Sequence, residues 1–341
     1  MTVKKGIITI EQSVGLWMIL RRTVHLVGKS RQRELTKYDI SDDAAAVLFT
    51  VSFLGRQSIP ATISKYLFLE RHSVSQLLTR MEKDDLVRRV KDLERKNYVR
   101  IELTARGHDV LVKSSKLRST KSIISVLTEE EQKQTWSYMI RLRERAIKKL
   151  VLRGPLFYPP SDRQEVIDNF ANTTGQNYLH VDPATALWML IDRTSRLIGK
   201  ARQRELAKYG VSVDASAVIF TVYYLGHQAI PATISRQLFL ERHSVSQLLT
   251  RMEKDGLIRR VKDLERRNYV RIELTVKGWD VLQRSGKHQS VIPIISVLSE
   301  NEQQELWIIL AKVRNRAIKR LGLKNTAIYP PSDPIAMSKV I

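Results

Sequence analysis

The sequence predicts a mainly α fold with small β-hairpins, built as two tandem domains, and three observations predict it. Residues 70–84 read ERHSVSQLLTRMEKD, and residues 241–255 repeat them without a change. The match extends both ways at a constant offset of 171 positions, pairing Trp17 with Trp188, His72 with His243 and Tyr158-Pro159-Pro160-Ser161-Asp162 with Tyr329-Pro330-Pro331-Ser332-Asp333. Within each copy, long stretches of helical apolar spacing flank one short segment of period-two alternation. A solenoid needs three or more stacked units to build a continuous core, so two copies mean a duplicated domain fused in one chain.

Each copy opens on a long helix. Leu16, Leu20, Val24 and Val27 form its apolar stripe in copy one and Leu187, Ile191 and Ile198 in copy two; its far end is basic, with Lys29, Arg31 and Arg33 or Lys200, Arg202 and Arg204. A second helix is expected over about 42–55, carrying Ala45, Leu48, Phe49 and Leu54, and a third over about 61–67. A fourth lies in the repeated stretch. Val74, Leu77, Leu78 and Met81 recur at i, i+3, i+4 and i+7, which puts them on one inward face, and His72, Ser73, Ser75, Gln76, Thr79, Arg80 and Lys83 take the outer faces. After the hairpin a helix starts at Thr104, and Thr128-x-x-Glu131 and Ser299-x-x-Glu302 are capping boxes that start a last helix. Trp136, Met139, Ile140, Ile147 and Leu150 form its apolar face, matched by Trp307, Leu310, Ile318 and Leu321. Arg141, Arg143, Arg145, Lys148 and Lys149 are expected on a solvated face.

The outer face of the fourth helix carries hydrogen-bonding groups as well as charge. Serines near a helix start sit beside free backbone N–H groups that favour phosphate, and the glutamine amide has the paired donor and acceptor that match adenine in the major groove. Ordinary solvation of that face is the alternative from the helix alone. The hairpin shifts the balance. Val87, Val90, Val99, Ile101 and Leu103 are interspersed with Arg88, Arg89, Lys91 and Arg100, the pattern of strands packed on one side, and the segment from Asp92 to Asn97 between them is polar and charged. Helix, helix, basic hairpin is the winged helix-turn-helix order, in which the second helix enters the major groove and the wing reaches phosphate or the minor groove. The candidate DNA-binding residues of copy one are His72, Ser73, Ser75, Gln76, Thr79 and Arg80, with Arg95 and Lys96 at the wing tip. Those of copy two are His243, Ser244, Ser246, Gln247, Thr250 and Arg251, with Arg266 and Arg267.

The run from Leu69 through SVSQLLTRMEKDDLVRRVKDLERKNYVRIELTARG resembles the MarR family of transcriptional regulators, whose pattern is a recognition helix, a charged wing tip and a closing Leu-Thr-x-x-Gly. The closures here are Leu103-Thr104 with Gly107 and Leu274-Thr275 with Gly278, and the resemblance covers roughly 16–152 and 187–323. The sequence departs from the family pattern at Asp85, where copy two keeps the family's glycine as Gly256, and at Phe68 and Gln76. The resemblance implies two winged helix-turn-helix domains that form a pseudo-twofold dimer through their terminal helices. It also implies a DNA-bound state that commonly blocks transcription, and a small phenolic or anionic effector lodged between the dimer helices and the winged domain.

Charge points to the same partner. The 341 residues include 58 Lys and Arg against 35 Asp and Glu, a net charge of +23, so nucleic acid is the first candidate partner and an anionic membrane surface the second. No apolar run approaches the roughly 18 residues of a membrane span, and Met1-Thr2-Val3-Lys4-Lys5 lacks the apolar core of a signal peptide; no membrane partner is expected, and the chain is expected to be cytoplasmic. The absence of cysteine excludes disulfides, thiolate metal sites and thiol redox sensing. The seven histidines are scattered, so neither a metal nor a cofactor is expected. GxGxxG, P-loop, HExxH and nucleophile-elbow motifs are all missing. The chain is read as a non-enzyme with no catalytic residue, and His72 and His243 beside Glu70 and Glu241 as structural or DNA-facing.

Residues 1–162 and 184–341 are the expected domains, with 163–183, polar and broken by Pro and Gly, as the linker. Some 20 residues reach about 60 to 70 Å when extended, and tethering raises the effective concentration of the two domains into the millimolar range. A single-chain pseudo-dimer on a near-palindromic, double-stranded operator is the expectation. The alternative is an architectural protein that holds DNA by charge with little sequence preference.

Overall fold

The structure, a computed structural model, describes residues 11–91, 99–115, 117–152, 159–165, 181–262, 270–323 and 329–339. It is mainly helical with two separate two-stranded antiparallel sheets. Packing sorts the chain into two compact units, and each draws on both copies of the repeat. One comprises Leu26–Leu197 with Lys312–Leu323; the other comprises Met1–His25, Ile198–Ala311 and Lys324–Ile341.

The first unit contains α2 (Asp42–Leu54), α3 (Pro60–Leu67), α4 (Arg71–Lys83), strands β1 (Val87–Lys91) and β2 (Val99–Leu103), α5 (Ala105–Ser115), α6 (Arg118–Ile124) and α7 (Glu129–Leu150). Local chemistry sets the boundaries. Ser41 caps α2 by accepting from the Ala44 N–H at 3.1 Å. Pro60 takes the first position of α3, where its missing N–H costs nothing. The predicted capping box starts α7, with Glu131 N donating to Thr128 Oγ1 at 3.1 Å and Thr128 N to Glu131 Oε2 at 3.0 Å. Val47, Leu48, Ile63, Val74, Leu78 and Ile101 meet in one core. The hairpin runs in the register Val87↔Leu103 to Lys91↔Val99, and Ile101 N donates to the Ser58 carbonyl at 2.7 Å, tying the hairpin to the turn before α3.

The second unit repeats this plan with α9 (Val213–Leu225), α10 (Pro231–Leu238), α11 (Arg242–Lys254), β3 (Ile258–Lys262), β4 (Val270–Leu274), α12 (Val276–Ser285), α13 (Ile292–Ile295) and the start of α14 (Glu300–Arg320). Ser299 and Glu302 form the second capping box. The Leu-Thr-x-x-Gly closures have a steric cause in both copies. Thr104 Oγ1 accepts from Gly107 N at 3.0 Å, and Thr275 Oγ1 from Gly278 N at 3.1 Å. A Cβ on Gly107 would lie 1.9 Å from the Leu86 carbonyl oxygen, and one on Gly278 2.1 Å from that of Leu257, so only glycine fits.

The opening helix of each copy, α1 (Gln12–Leu35) or α8 (Pro183–Leu206), contributes residues to both units. That is why it is buried more widely than its predicted stripe: Ile19, Thr23 and Leu26 are buried along with Leu16, Leu20 and Val27, while Val24 is only half-buried. In the second unit Ser13 Oγ donates to Gln303 Oε1 at 3.0 Å and Thr23 Oγ1 to the Leu310 carbonyl at 3.2 Å. In the first, Thr194 Oγ1 reaches the Met139 carbonyl at 3.5 Å.

The structure corrects the expected solvation of Arg143. Its side chain is buried, with its guanidinium donating to the Pro159 carbonyl and, at 3.0 Å, to Ser161 Oγ; burial lowers its pKa. The basic ends of the opening helices are likewise engaged internally, Arg31 with Asp42 and Thr120, and Arg202 with Glu205. The short helices α6 and α13 are additions to the sequence reading. Most of the expected linker, 166–180, lies outside the described residues. Among the described residues no helix is long and apolar enough to cross a membrane.

Candidate nucleic-acid interface

In the first unit α3 ends on Phe68, whose backbone is left-handed at φ 56°. Ser64 Oγ donates to the Leu69 carbonyl at 2.8 Å and holds the turn, and α4 starts at Arg71. The second unit makes the same turn through Phe239, at φ 58°, with Ser235 Oγ on the Leu240 carbonyl at 2.7 Å. In α4 Val74, Leu77, Leu78 and Met81 are buried, and in α11 so are Val245, Leu248, Leu249 and Met252. The opposite faces emerge as the spacing requires. His72, Ser73, Ser75, Gln76, Thr79 and Arg80 are all exposed, as are His243, Ser244, Ser246, Gln247, Thr250 and Arg251. The wing-tip candidates Arg95, Lys96, Arg266 and Arg267 lie outside the described residues.

One candidate pair is committed to the fold as well as exposed. Thr79 Oγ1 donates to the Ser75 carbonyl at 3.1 Å and accepts from Arg89 Nη2 at 3.1 Å; Thr250 accepts from Arg260 Nη2 at 3.2 Å. These strand arginines brace the wing against the helix, since Arg89 also pairs with Glu82 and Arg260 with Glu253. Arg89 was legible only as one cation of the ribbon, because its partners lie seven and ten residues back on another element. On the hairpin itself Arg88 and Arg100 flank Glu102, and their hydrogen bonds hold its carboxylate below the usual range. Arg259, Glu273 and Arg271 repeat the arrangement.

Residues 41–107 match a winged helix DNA-binding domain, and residues 209–267 match the MarR family. The two matches support a winged-helix regulator of MarR type. Among curated proteins, the chain is similar to the HTH-type transcriptional regulator PecS of Dickeya dadantii (strain 3937), with 26% identity over 144 residues that make up 41% of this chain and 86% of PecS. Among solved structures it is similar to the organohalide-sensing RdhR transcriptional regulator, crystallised with 2,4-dichlorophenol and without ligand. Each of these matches has 28% identity and a TM-score of 0.42, over 47% of this chain and 95% of that one.

Behind the turn of copy one, the first unit holds a partly open cavity of about 80 Å³. Phe49, Leu67, Leu69 and Leu111 of copy one line it together with Trp188 and Met189 of copy two. Polar groups are gathered at its wall: Arg196 pairs with Asp192 at 2.8 Å and Asp43 at 3.0 Å, which raises its pKa, and Arg193 stacks over the Tyr66 ring at 4.6 Å. Apolar lining with a few convergent charges is the usual make-up of a small-molecule site. Leu67 and Leu69 stand immediately before α4, so the cavity borders the turn that leads into that helix.

Proposed function

We propose that the chain is a sequence-specific transcriptional repressor that binds double-stranded DNA as a single-chain pseudo-dimer. The observation that carries this reading is the pair of identical helices, α4 and α11, each presenting the same exposed His-Ser-x-Ser-Gln-x-x-Thr-Arg surface beside a basic hairpin. Charge alone requires no such identity. Placed in successive major grooves about 34 to 36 Å apart, two such helices read a near-palindrome. Gln76 and Gln247 supply bidentate contacts to adenine, the serines contact phosphate or base edges, and Arg95, Lys96, Arg266 and Arg267 reach phosphate or the minor groove.

Pairing within one chain is supported by residue-matched bonds. Thr23 matches Thr194 and Leu310 matches Met139, so each copy's opening helix bonds the other copy's last helix. The protomer-equivalents are then 1–162 and 184–341, with 163–183 joining them. The cavity behind the turn of copy one is the seat of a small-molecule effector, and the protein works in the cytoplasm. Selection of bound sites from random duplex DNA tests the reading: the expected result is enrichment of one near-palindromic sequence. Salt-dependent binding without enrichment would instead favour an architectural protein held by its net charge of +23.

A further inference from the structure

Tyr329 lies outside the winged domain yet is one of the more deeply buried side chains of the second unit, 2% exposed. Its ring centroid is 4.3 Å from that of Tyr224 and 5.6 Å from that of Phe220, both on α9, and the Arg22 guanidinium stands over it at 5.9 Å. Its backbone N–H donates to Gln237 Oε1 at 3.2 Å, and two residues on, the Pro331 carbonyl accepts from Trp307 Nε1 at 3.0 Å. Gln237 is on α10, the first helix of the helix-turn-helix, and Trp307 on α14, so this short segment ties the DNA-reading half of the unit to its last helix. Burial pushes the phenol's pKa up and keeps it neutral. Two of the slot's wall residues have counterparts in the first unit: Phe220 matches Phe49 and Arg22 matches Arg193, and both of those line the effector cavity.

We propose that Tyr329–Pro331 is a tethered ligand of the second winged helix. The ring of Tyr329 occupies a slot that shares two matched wall positions with the effector cavity, and a free planar aromatic molecule of the same shape competes for it. Displacement of the tail releases Gln237 and the ring packed on α9, loosens the second helix-turn-helix and weakens reading of one half-site. The proposal deepens the regulatory reading and rests on it for its consequence on DNA, but not for the slot itself.

The probe is p-cresol, the side-chain analogue of tyrosine, titrated into the full chain and into Tyr329→Ala by calorimetry without DNA. Removing the tethered competitor should tighten p-cresol binding at least about tenfold. In the unmodified chain, saturating p-cresol should speed hydrogen exchange of the Tyr329 amide, a measurement that needs no variant and stands if Tyr329→Ala does not fold. On DNA, Tyr329→Ala and saturated wild type should each lose roughly fivefold or more in affinity, the usual scale of coupling between sites. Equal p-cresol affinity in the two proteins, or p-cresol bound while the Tyr329 amide stays protected, would overturn the proposal. A tail that is displaced in a chain with no affinity for any duplex would uphold the slot and instead overturn the regulatory reading.

Discussion

Thr23 Oγ1 donates to the carbonyl of Leu310 at 3.2 Å, a bond between the opening helix of copy one and the last helix of copy two. Both threonines that make such bonds, Thr23 and Thr194, are fully buried, and a valine has the same shape without the donor. A buried neutral hydrogen bond contributes about 1 kcal/mol net, and the two bonds lie in different units, where effects add. Thr23→Val with Thr194→Val should therefore lower stability by about 2 kcal/mol in urea unfolding, with each single change giving about half.

The turn that follows α4 and α11 differs in residue between the copies but not in conformation. Asp85 is held at φ 53° and Gly256 at φ 70°. The left-handed region strains a residue with a Cβ and not glycine, whereas glycine also loosens the unfolded chain. Asp85→Gly should raise the stability of the first unit by up to about 1 kcal/mol. A fall in melting temperature would contradict the account of this turn.

His288 gives the second unit a dependence on acid. It is half-buried beside the Arg202–Glu205 pair, and desolvation first, with the Arg202 charge second, drives its pKa down to about 3. The unfolded chain takes up this proton near pH 6.5, before the folded one does. The neutral imidazole's contribution is therefore complete above that pH and is lost as pH falls toward 3, at about 1.4 kcal/mol per unit. Glu205 adds in the same direction at lower pH. Burial opposes its ionisation, but hydrogen bonds from Ser290 and the Arg202 charge hold its carboxylate below the usual range. His288 sits at φ 42°, which asparagine tolerates. His288→Asn should abolish most of the stability difference between pH 7 and pH 5 that wild type shows in urea unfolding.

Gln76 tests recognition. Truncating it to alanine should cost about 1 to 3 kcal/mol on the selected operator and relax base preference at one position in one half-site, because Gln247 is untouched. The measurement is binding to operators substituted in the left half, the right half or both. No change in preference anywhere would remove Gln76 from the reading surface.

What the sequence made legible was periodic and local. Val74, Leu77, Leu78 and Met81 point inward because their spacing allows nothing else, and the Thr104 and Gly107 closure carries its own steric cause. What escaped depends on partners far along the chain. Arg143 looks like its exposed neighbour Arg145 on a helical pattern; only the return of Pro159 and Ser161 makes a buried place for it. The breadth of burial on α1 follows from its contribution to two units, and the burial of Tyr329 from α9 and Arg22. The bracing role of Arg89 has no local signal at all. On the outer face of α4, then, exposure was predictable from spacing, whereas the internal engagement of Thr79 was not.

The central claim is that one chain is a complete reading unit. Native mass spectrometry of the protein on a duplex carrying a single selected operator tests it most directly. The account predicts a complex of one chain and one duplex across a range of protein concentrations. A smallest complex containing two chains on that duplex would contradict it.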